Sequence, residues 1–286
     1  MINTICVAGG GTMGSGIALV AAQSGYKVLL FDVNEEVLKK AVVGIQNNIQ
    51  ILLSKKKISP QEAELTFNRI QFISEANKCI ADFFIEAIVE NATAKIELFN
   101  QFAAINNDQV IFASNTSSLS ISDIQLHIKN PERVGGMHFF NPAGVMKLIE
   151  VISGTQTSIS TAQTIHQLCT AFGKTPVYCK DAPGFIVNRV ARHYYLEAMN
   201  LVELRLASIE NVDAILEASG FKMGPFKLMD LIGLDINYTV SKSIYEAFNN
   251  EERFRPAQMQ NEKVLKGELG KKTGKGFYNY PTEKSV

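Results

Sequence analysis

Ile5-Cys6-Val7-Ala8-Gly9-Gly10-Gly11-Thr12-Met13-Gly14 decides the fold. An apolar run enters a glycine turn, and Ile17, Val20, Ala21 and Ser24 then recur at helical spacing until Gly25 stops them. A second apolar run, Val28-Leu29-Leu30-Phe31, ends on Asp32, eighteen residues past Gly14. Strand, glycine turn, helix, strand and acid in that order form the fingerprint of dinucleotide binding. Gly9 allows the tight turn, Gly11 lets the backbone close on a pyrophosphate, and Gly14 lets helix and strand pack closely. The helix opens with Thr12 and Met13, and its unpaired N-terminal amides favour an anion. Asp32 is placed to accept hydrogen bonds from the adenosine ribose hydroxyls, and its charge repels a 2′-phosphate. The expected cofactor is therefore NAD rather than NADP.

Residues 35–53 follow with apolar side chains at helical spacing and lead into Lys55-Lys56-Lys57, a charge run whose plainest reading is a solvated helix end. Ser59, Pro60 and Glu62 spell a capping box for the next helix, and residues 70–73 a short strand. Residues 82–91 read as a buried strand ending in Glu90 and Asn91. In an open parallel sheet that end faces the ligand crevice. A helix over 94–104 and a strand over 110–113 lead to Ser114-Asn115-Thr116-Ser117-Ser118, whose short polar side chains suit either a capping loop or ligand donors. His138 falls at the carboxyl end of a further strand. Glu150, twelve residues on, lies in another strand-like run where an unpaired carboxylate is costly to bury. A Glu beside a His would orient the imidazole and support its protonated form, the arrangement of general acid–base catalysis.

Pro183 and Gly184 then break the pattern, and strands cease. The expected architecture is α/β: a mostly parallel Rossmann-type sheet domain over residues 1–183, followed by an all-α domain over 184–286. A helix over 185–206, apolar around much of its circumference, implies burial on more than one side, and the helical half is a plausible homodimerisation unit. Further helices are marked by Ser208 and Gly220 and by the run of Ile236, Val240 and Ile244, ahead of a glycine–lysine loop at 269–278. With 28 basic and 28 acidic side chains the formal charge is zero, so neither nucleic acid nor a membrane surface is an expected partner. No apolar run reaches the length of a membrane span. Cys6, Cys79, Cys169 and Cys179 lie far apart without metal-ligand spacing and read as buried thiols of a reducing compartment, so no metal is expected. The first strand begins at once, so no signal peptide is expected and the location read from it is cytoplasmic.

Several stretches together resemble the L-3-hydroxyacyl-CoA dehydrogenase family: residues 9–16, Ile88-Val89-Glu90-Asn91 with Lys95, 114–119, His138-Phe139-Phe140-Asn141-Pro142, 181–189, 228–233 and 272–278. They occur in the family's order over nearly the whole chain, whose length is similar to that of bacterial members acting on 3-hydroxybutyryl-CoA. The resemblance implies that His138, paired with Glu150, removes the proton of a 3-hydroxyl as the C3 hydride passes to NAD. Ser117 and Asn188 then hydrogen-bond the substrate oxygens. It also implies that Glu90, Lys95, Ser117 and Lys272 serve the nicotinamide half of the cofactor, that Asn141 is a further cofactor-binding residue, and that lysines in the region of Lys55 and Lys56 meet the phosphates of an acyl-CoA. A relative of the same fold acting on a small hydroxy or sugar acid would keep His138 and Glu150 but lack the lysine patch.

Overall fold

The computed structural model describes residues 2–281; the outermost positions of the two expected domains, 1 and 282–286, lie outside the described residues. The chain forms two compact units that part between Ala182 and Pro183. The first holds β1 (Thr4–Ala8), α1 (Thr12–Gln23), β2 (Lys27–Phe31), α2 (Glu35–Ser54), α3 (Pro60–Asn68), β3 (Ile70–Ile73), β4 (Phe83–Glu86), α4 (Ala92–Ile105), β5 (Ile111–Ser114), α5 (Ile121–Gln125), β6 (Val134–Phe139), β7 (Leu148–Ser153), α6 (Ile159–Ala171) and β8 (Thr175–Lys180). These strands make one eight-stranded sheet in the order β3-β2-β1-β4-β5-β6-β7-β8. All neighbours run parallel except β6 and β7. Because helices cover both faces, the inner strands carry apolar side chains in succession rather than alternation, as in Ile5-Cys6-Val7-Ala8, all buried. Ile17, Ala18 and Ala21 of α1 and Ile45 and Ile49 of α2 join Ile5, Val7 and Leu30 in one core.

The strand order reverses between β1 and β4, and the crevice beyond the carboxyl ends at such a switch point is where ligands bind. Register aligns Phe31, Ala8, Glu86, Ser114 and Gly136 in one row across the sheet. The glycine turn, Asp32, the serine loop and His138 all lie just beyond that row.

Three expectations from the sequence are corrected. The strand expected over 82–91 stops at Glu86, because the Ile88 amide turns back to donate to the Glu86 carboxylate (2.7 Å) and Asn91 becomes the N-cap of α4, accepting from the Ala94 amide (3.0 Å). Cys179, expected to be buried, is partly exposed on the outermost strand, while Cys6, Cys79 and Cys169 are buried. Burial, then the Glu150 and Asp181 carboxylates, push the Cys179 thiol up to about 12, and burial does the same for Cys169. The third correction belongs to the second unit.

That unit is helical: α7 (Val187–Glu203), α8 (Ile209–Ala218), α9 (Pro225–Ile232), α10 (Leu234–Ala247) and α11 (Gln258–Leu265). Its first helix begins two residues later than periodicity implies, since Phe185 takes a left-handed φ of 47°, which no α-helix continues through. Helix α7 buries Arg192, Tyr195, Leu196, Ala198 and Met199, packs Ala191, Tyr194 and Val202 half-buried against the same core, and leaves Val190 66% exposed. The buried Arg192 donates to the Asn237 carbonyl (3.0 Å) and the Ser241 hydroxyl (2.8 Å), and burial lowers its guanidinium to about 10. Helix α9 is capped from outside: Asp213 of α8 accepts from the Phe226 (2.9 Å) and Lys227 (3.1 Å) amides. Asp230 fastens the tail by accepting from the Phe277 and Tyr278 amides, both at 2.9 Å.

Candidate active site

The glycine turn is fixed by contact. A Cβ at Gly14 would lie 1.7 Å from the Gly9 carbonyl oxygen, so only glycine lets α1 start this close to β1. Gly9 itself has φ +107°, and a Cβ there would meet the Ala87 oxygen at 2.5 Å. Gly11 caps α1, and Thr12 and Met13 are its first residues, so the orphan amides of the first turn open at the carboxyl edge of the sheet. Asp32 lies at the end of β2, its Oδ2 accepting from the Gly10 amide (2.8 Å) and its Oδ1 from the Asn34 amide (2.9 Å). Each carboxylate oxygen retains a lone pair for a hydroxyl donor. The close approach at Gly9 and Gly14, the helix terminus and the held carboxylate fit a dinucleotide without a 2′-phosphate.

Beyond β4 and β5 a second cluster joins residues far apart in sequence. Glu90 Oε1 accepts from the Thr116 hydroxyl (2.6 Å), the Ser117 amide (3.0 Å), the Ser118 amide (3.2 Å) and the Ser118 hydroxyl (2.9 Å). Its Oε2 meets Lys95 Nζ at 3.1 Å. Burial pulls the Glu90 carboxyl upward, but Lys95 and these hydroxyls outweigh it and hold it below the usual carboxylate range. Lys95, 1% exposed, also donates to Glu86 Oε1 at 2.6 Å. Glu86 was hidden in the sequence as the last residue of an apolar strand; the one available signal is an acid where the strand meets the crevice, nine residues ahead of a lysine. Burial, against the opposing pull of Lys95, raises its carboxyl. Asn115 links loop and strand, its Oδ1 accepting from the Phe139 amide (2.8 Å).

One residue before Phe139, His138 is 5% exposed and Glu150 1%, and the two are direct partners in the antiparallel register of β6 and β7. His138 Nδ1 lies 2.7 Å from Glu150 Oε2. A carboxylate there accepts a hydrogen bond from Nδ1–H, which leaves Nε2 as the basic nitrogen of the neutral ring. Asn141 is exposed on the loop that follows β6. The first unit thus brings together Gly9, Gly11, Thr12, Met13, Gly14, Asp32, Glu90, Lys95, Ser117, His138 and Glu150 along one edge of the sheet. Lys55 caps the C-terminus of α2, Lys56 takes φ 51°, and both are exposed. Asn188 and Lys272 belong to the second unit. Asn188 lies in the first turn of α7, its carbonyl accepting from Arg192 Nε (3.3 Å), and Lys272 donates to Asp235 (2.7 Å). Among the described residues no helix is long and apolar enough to cross a membrane, and no cluster of three or more His, Cys, Asp or Glu could hold a metal.

Switch point, glycine turn and ribose acid define a nicotinamide-dinucleotide-binding α/β domain followed by a helical one. The comparison with known families makes that specific. Residues 4–182 match the 3-hydroxyacyl-CoA dehydrogenase NAD binding domain and residues 184–280 the C-terminal domain of the same family. The chain belongs to the 3-hydroxyacyl-CoA dehydrogenase family, and its cofactor is NAD. It is 45% identical over its full length to the 3-hydroxyadipyl-CoA dehydrogenase of Escherichia coli K12, spanning 60% of that protein. It is 40% identical to the probable 3-hydroxybutyryl-CoA dehydrogenase of Bacillus subtilis, over 99% of both chains. The crystal structure of (S)-3-hydroxybutyryl-CoA dehydrogenase from Ralstonia eutropha superposes with a TM-score of 0.94 at 36% identity, covering 99% of this chain and 100% of that one.

Proposed function

We propose that the chain interconverts L-3-hydroxyacyl-CoA and 3-ketoacyl-CoA, with short acyl chains such as 3-hydroxybutyryl as substrates and His138 as the acid and base. The 2.7 Å contact between His138 Nδ1 and Glu150 Oε2 at the crevice carries this reading. Bound NAD⁺ supplies the acceptor for the hydrogen and electron pair that leave C3. His138 takes the hydroxyl proton on Nε2, and the buried Glu150 carboxylate stabilises the imidazolium so formed. In the reductive direction the imidazolium returns that proton to the developing alkoxide. Ser117 and Asn188 hydrogen-bond the substrate oxygens. The ADP half of the cofactor is assigned to Gly9, Gly11, Thr12, Met13, Gly14 and Asp32, the nicotinamide half to Glu90, Lys95, Ser117 and Lys272, and Asn141 is a further cofactor-binding residue.

The thioester part of the substrate is supported by the relatives, whose names share a 3-hydroxyacyl-CoA, and by Lys55 and Lys56, exposed cations suited to CoA phosphates. A homodimer through the helical unit belongs to the same reading, supported by Val190, Leu231 and Ile236, which that unit leaves exposed. So does a cytoplasmic setting, in keeping with four free cysteines. The test is NADH oxidation with acetoacetyl-CoA beside free acetoacetate. Turnover that requires the CoA part supports the proposal. Inert acetoacetyl-CoA, with NAD reduced by a small hydroxy or sugar acid instead, overturns it.

A further inference from the structure

Five residues beside the ends of β4 and β5 close a ring of four side-chain contacts and one backbone amide. Glu86 Oε1 accepts from Lys95 Nζ (2.6 Å), Lys95 meets Glu90 (3.1 Å), Glu90 accepts from the Thr116 hydroxyl (2.6 Å), the Thr116 amide donates to Ser114 Oγ (3.2 Å), and Ser114 Oγ donates to Glu86 Oε2 (2.6 Å). The Ile88 amide also donates to Glu86, at 2.7 Å. Lys95 Nζ and the Ile88 amide can only donate to Glu86, and although burial raises its carboxyl, the ammonium 2.6 Å away favours the carboxylate form. Glu86 and Lys95 are 0% and 1% exposed, whereas the Glu90 side chain is 38% exposed and alone of the three charges opens toward the crevice. Among the described residues Lys95 is the cation within ion-pair distance of either carboxylate.

A buried lysine facing Glu90 alone would cancel its charge. With Glu86 present, the buried pair is neutral as a unit and one negative charge remains at the crevice. Asp32 marks the β2 side of the switch point for the adenosine, which leaves the nicotinamide to the β4–β5 side, where this charge lies. The oxidised ring is a cation and the reduced ring is neutral. We propose that Glu86, acting through Lys95, is a positioning residue that neutralises the buried lysine and thereby leaves Glu90 as a net anion favouring the oxidised over the reduced cofactor. This inference rests on the reading of the chain as an NAD-dependent dehydrogenase, and it adds a residue that neither the motifs nor the family resemblance singled out.

The experiment measures dissociation constants of NADH by fluorescence titration and of NAD⁺ by competition, for the wild-type chain, Glu86→Gln and Glu86→Asp, with thermal melting of each. Glutamine matches the shape of glutamate and removes one charge, so the ratio of the NAD⁺ to the NADH constant is expected to rise about fivefold, the scale of one charge near a half-exposed site. Aspartate keeps the charge and draws the carboxylate back by one methylene, so its ratio is expected within about twofold of wild type. A merely structural role for Glu86, resting on its contacts with Lys95, Ser114 and Ile88, makes the shorter aspartate at least as defective as glutamine. An unchanged ratio in Glu86→Gln, or a ratio in Glu86→Asp shifted as far as in Glu86→Gln, overturns the inference. If Glu86→Gln does not fold, Glu86→Asp decides: a ratio shifted by more than about twofold overturns the inference. Failure of the wild-type chain to bind NADH would overturn the cofactor reading and this inference with it, whereas normal wild-type binding with an unaltered ratio overturns this inference only.

Discussion

Glu150→Gln separates charge from shape in the pair that carries the chemistry. The glutamine oxygen can occupy the position 2.7 Å from His138 Nδ1, so the ring stays oriented, but the imidazolium formed on proton transfer faces a dipole instead of a full charge. Unit charges about 4 Å apart interact by about 4 kcal/mol at an effective dielectric of about 20, and the amide dipole retains part of that. A loss of about 2–4 kcal/mol of transition-state stabilisation corresponds to a kcat lower by roughly 30- to 1000-fold. The carboxylate is buried behind the histidine, so the KM values for acetoacetyl-CoA and NADH should stay within about threefold, the pattern of an interaction gained only in the transition state. Steady-state NADH oxidation and a thermal melt check both points. A folded Glu150→Gln with kcat within threefold of wild type would refute the assignment of Glu150 as the partner of the base.

Two further outcomes follow from the cofactor side. Gly14→Ala would put a methyl 1.7 Å from the Gly9 oxygen, about half an ordinary contact distance, so α1 must retreat from β1; we expect a loss of about 3 kcal/mol or more in thermal unfolding and much weaker NADH binding. Asp32→Ser removes the carboxylate held by the Gly10 and Asn34 amides and should raise the preference for NADPH relative to NADH, in kcat/KM, by about tenfold or more, whereas an unchanged preference would assign the selection to another residue.

What could be read in the chain was what is local or periodic. Ser59 and Glu62 sit three apart, and they form the capping box their types spell, with the Ser59 amide donating to Glu62 at 2.7 Å. The Gly9–Gly14 spacing encodes a contact within a single turn, and the structure shows why no other residue fits. His138 and Glu150 were legible as strand residues and as a possible pair, but the antiparallel register that sets them face to face was not. The unread features depend on partners distant in sequence. Glu86 meets Ser114 because β4 and β5 pair in register, 28 residues apart. Asp213 caps α9 from another helix, so no N-cap signal precedes Pro225 beyond Gly224. Residues 87–91 look like strand by composition, and hydrogen bonds from the Ile88 and Ala94 amides to the Glu86 and Asn91 side chains turn them away from the sheet. In α7 the apolar residues counted toward burial divide: Ala198 is buried, Ala191, Tyr194 and Val202 pack half-buried against the helical core, and Val190 is left exposed.

The measurement that tests the central claim most directly is the rate of NADH oxidation with saturating acetoacetyl-CoA in the wild-type chain and in His138→Gln, with NADH affinity measured in both. The account predicts a rapid wild-type reaction, a loss of at least about a hundredfold in the variant, as for removal of a general acid, and NADH binding within about twofold in the two. A folded His138→Gln that binds NADH and turns over acetoacetyl-CoA at a rate near wild type would contradict it.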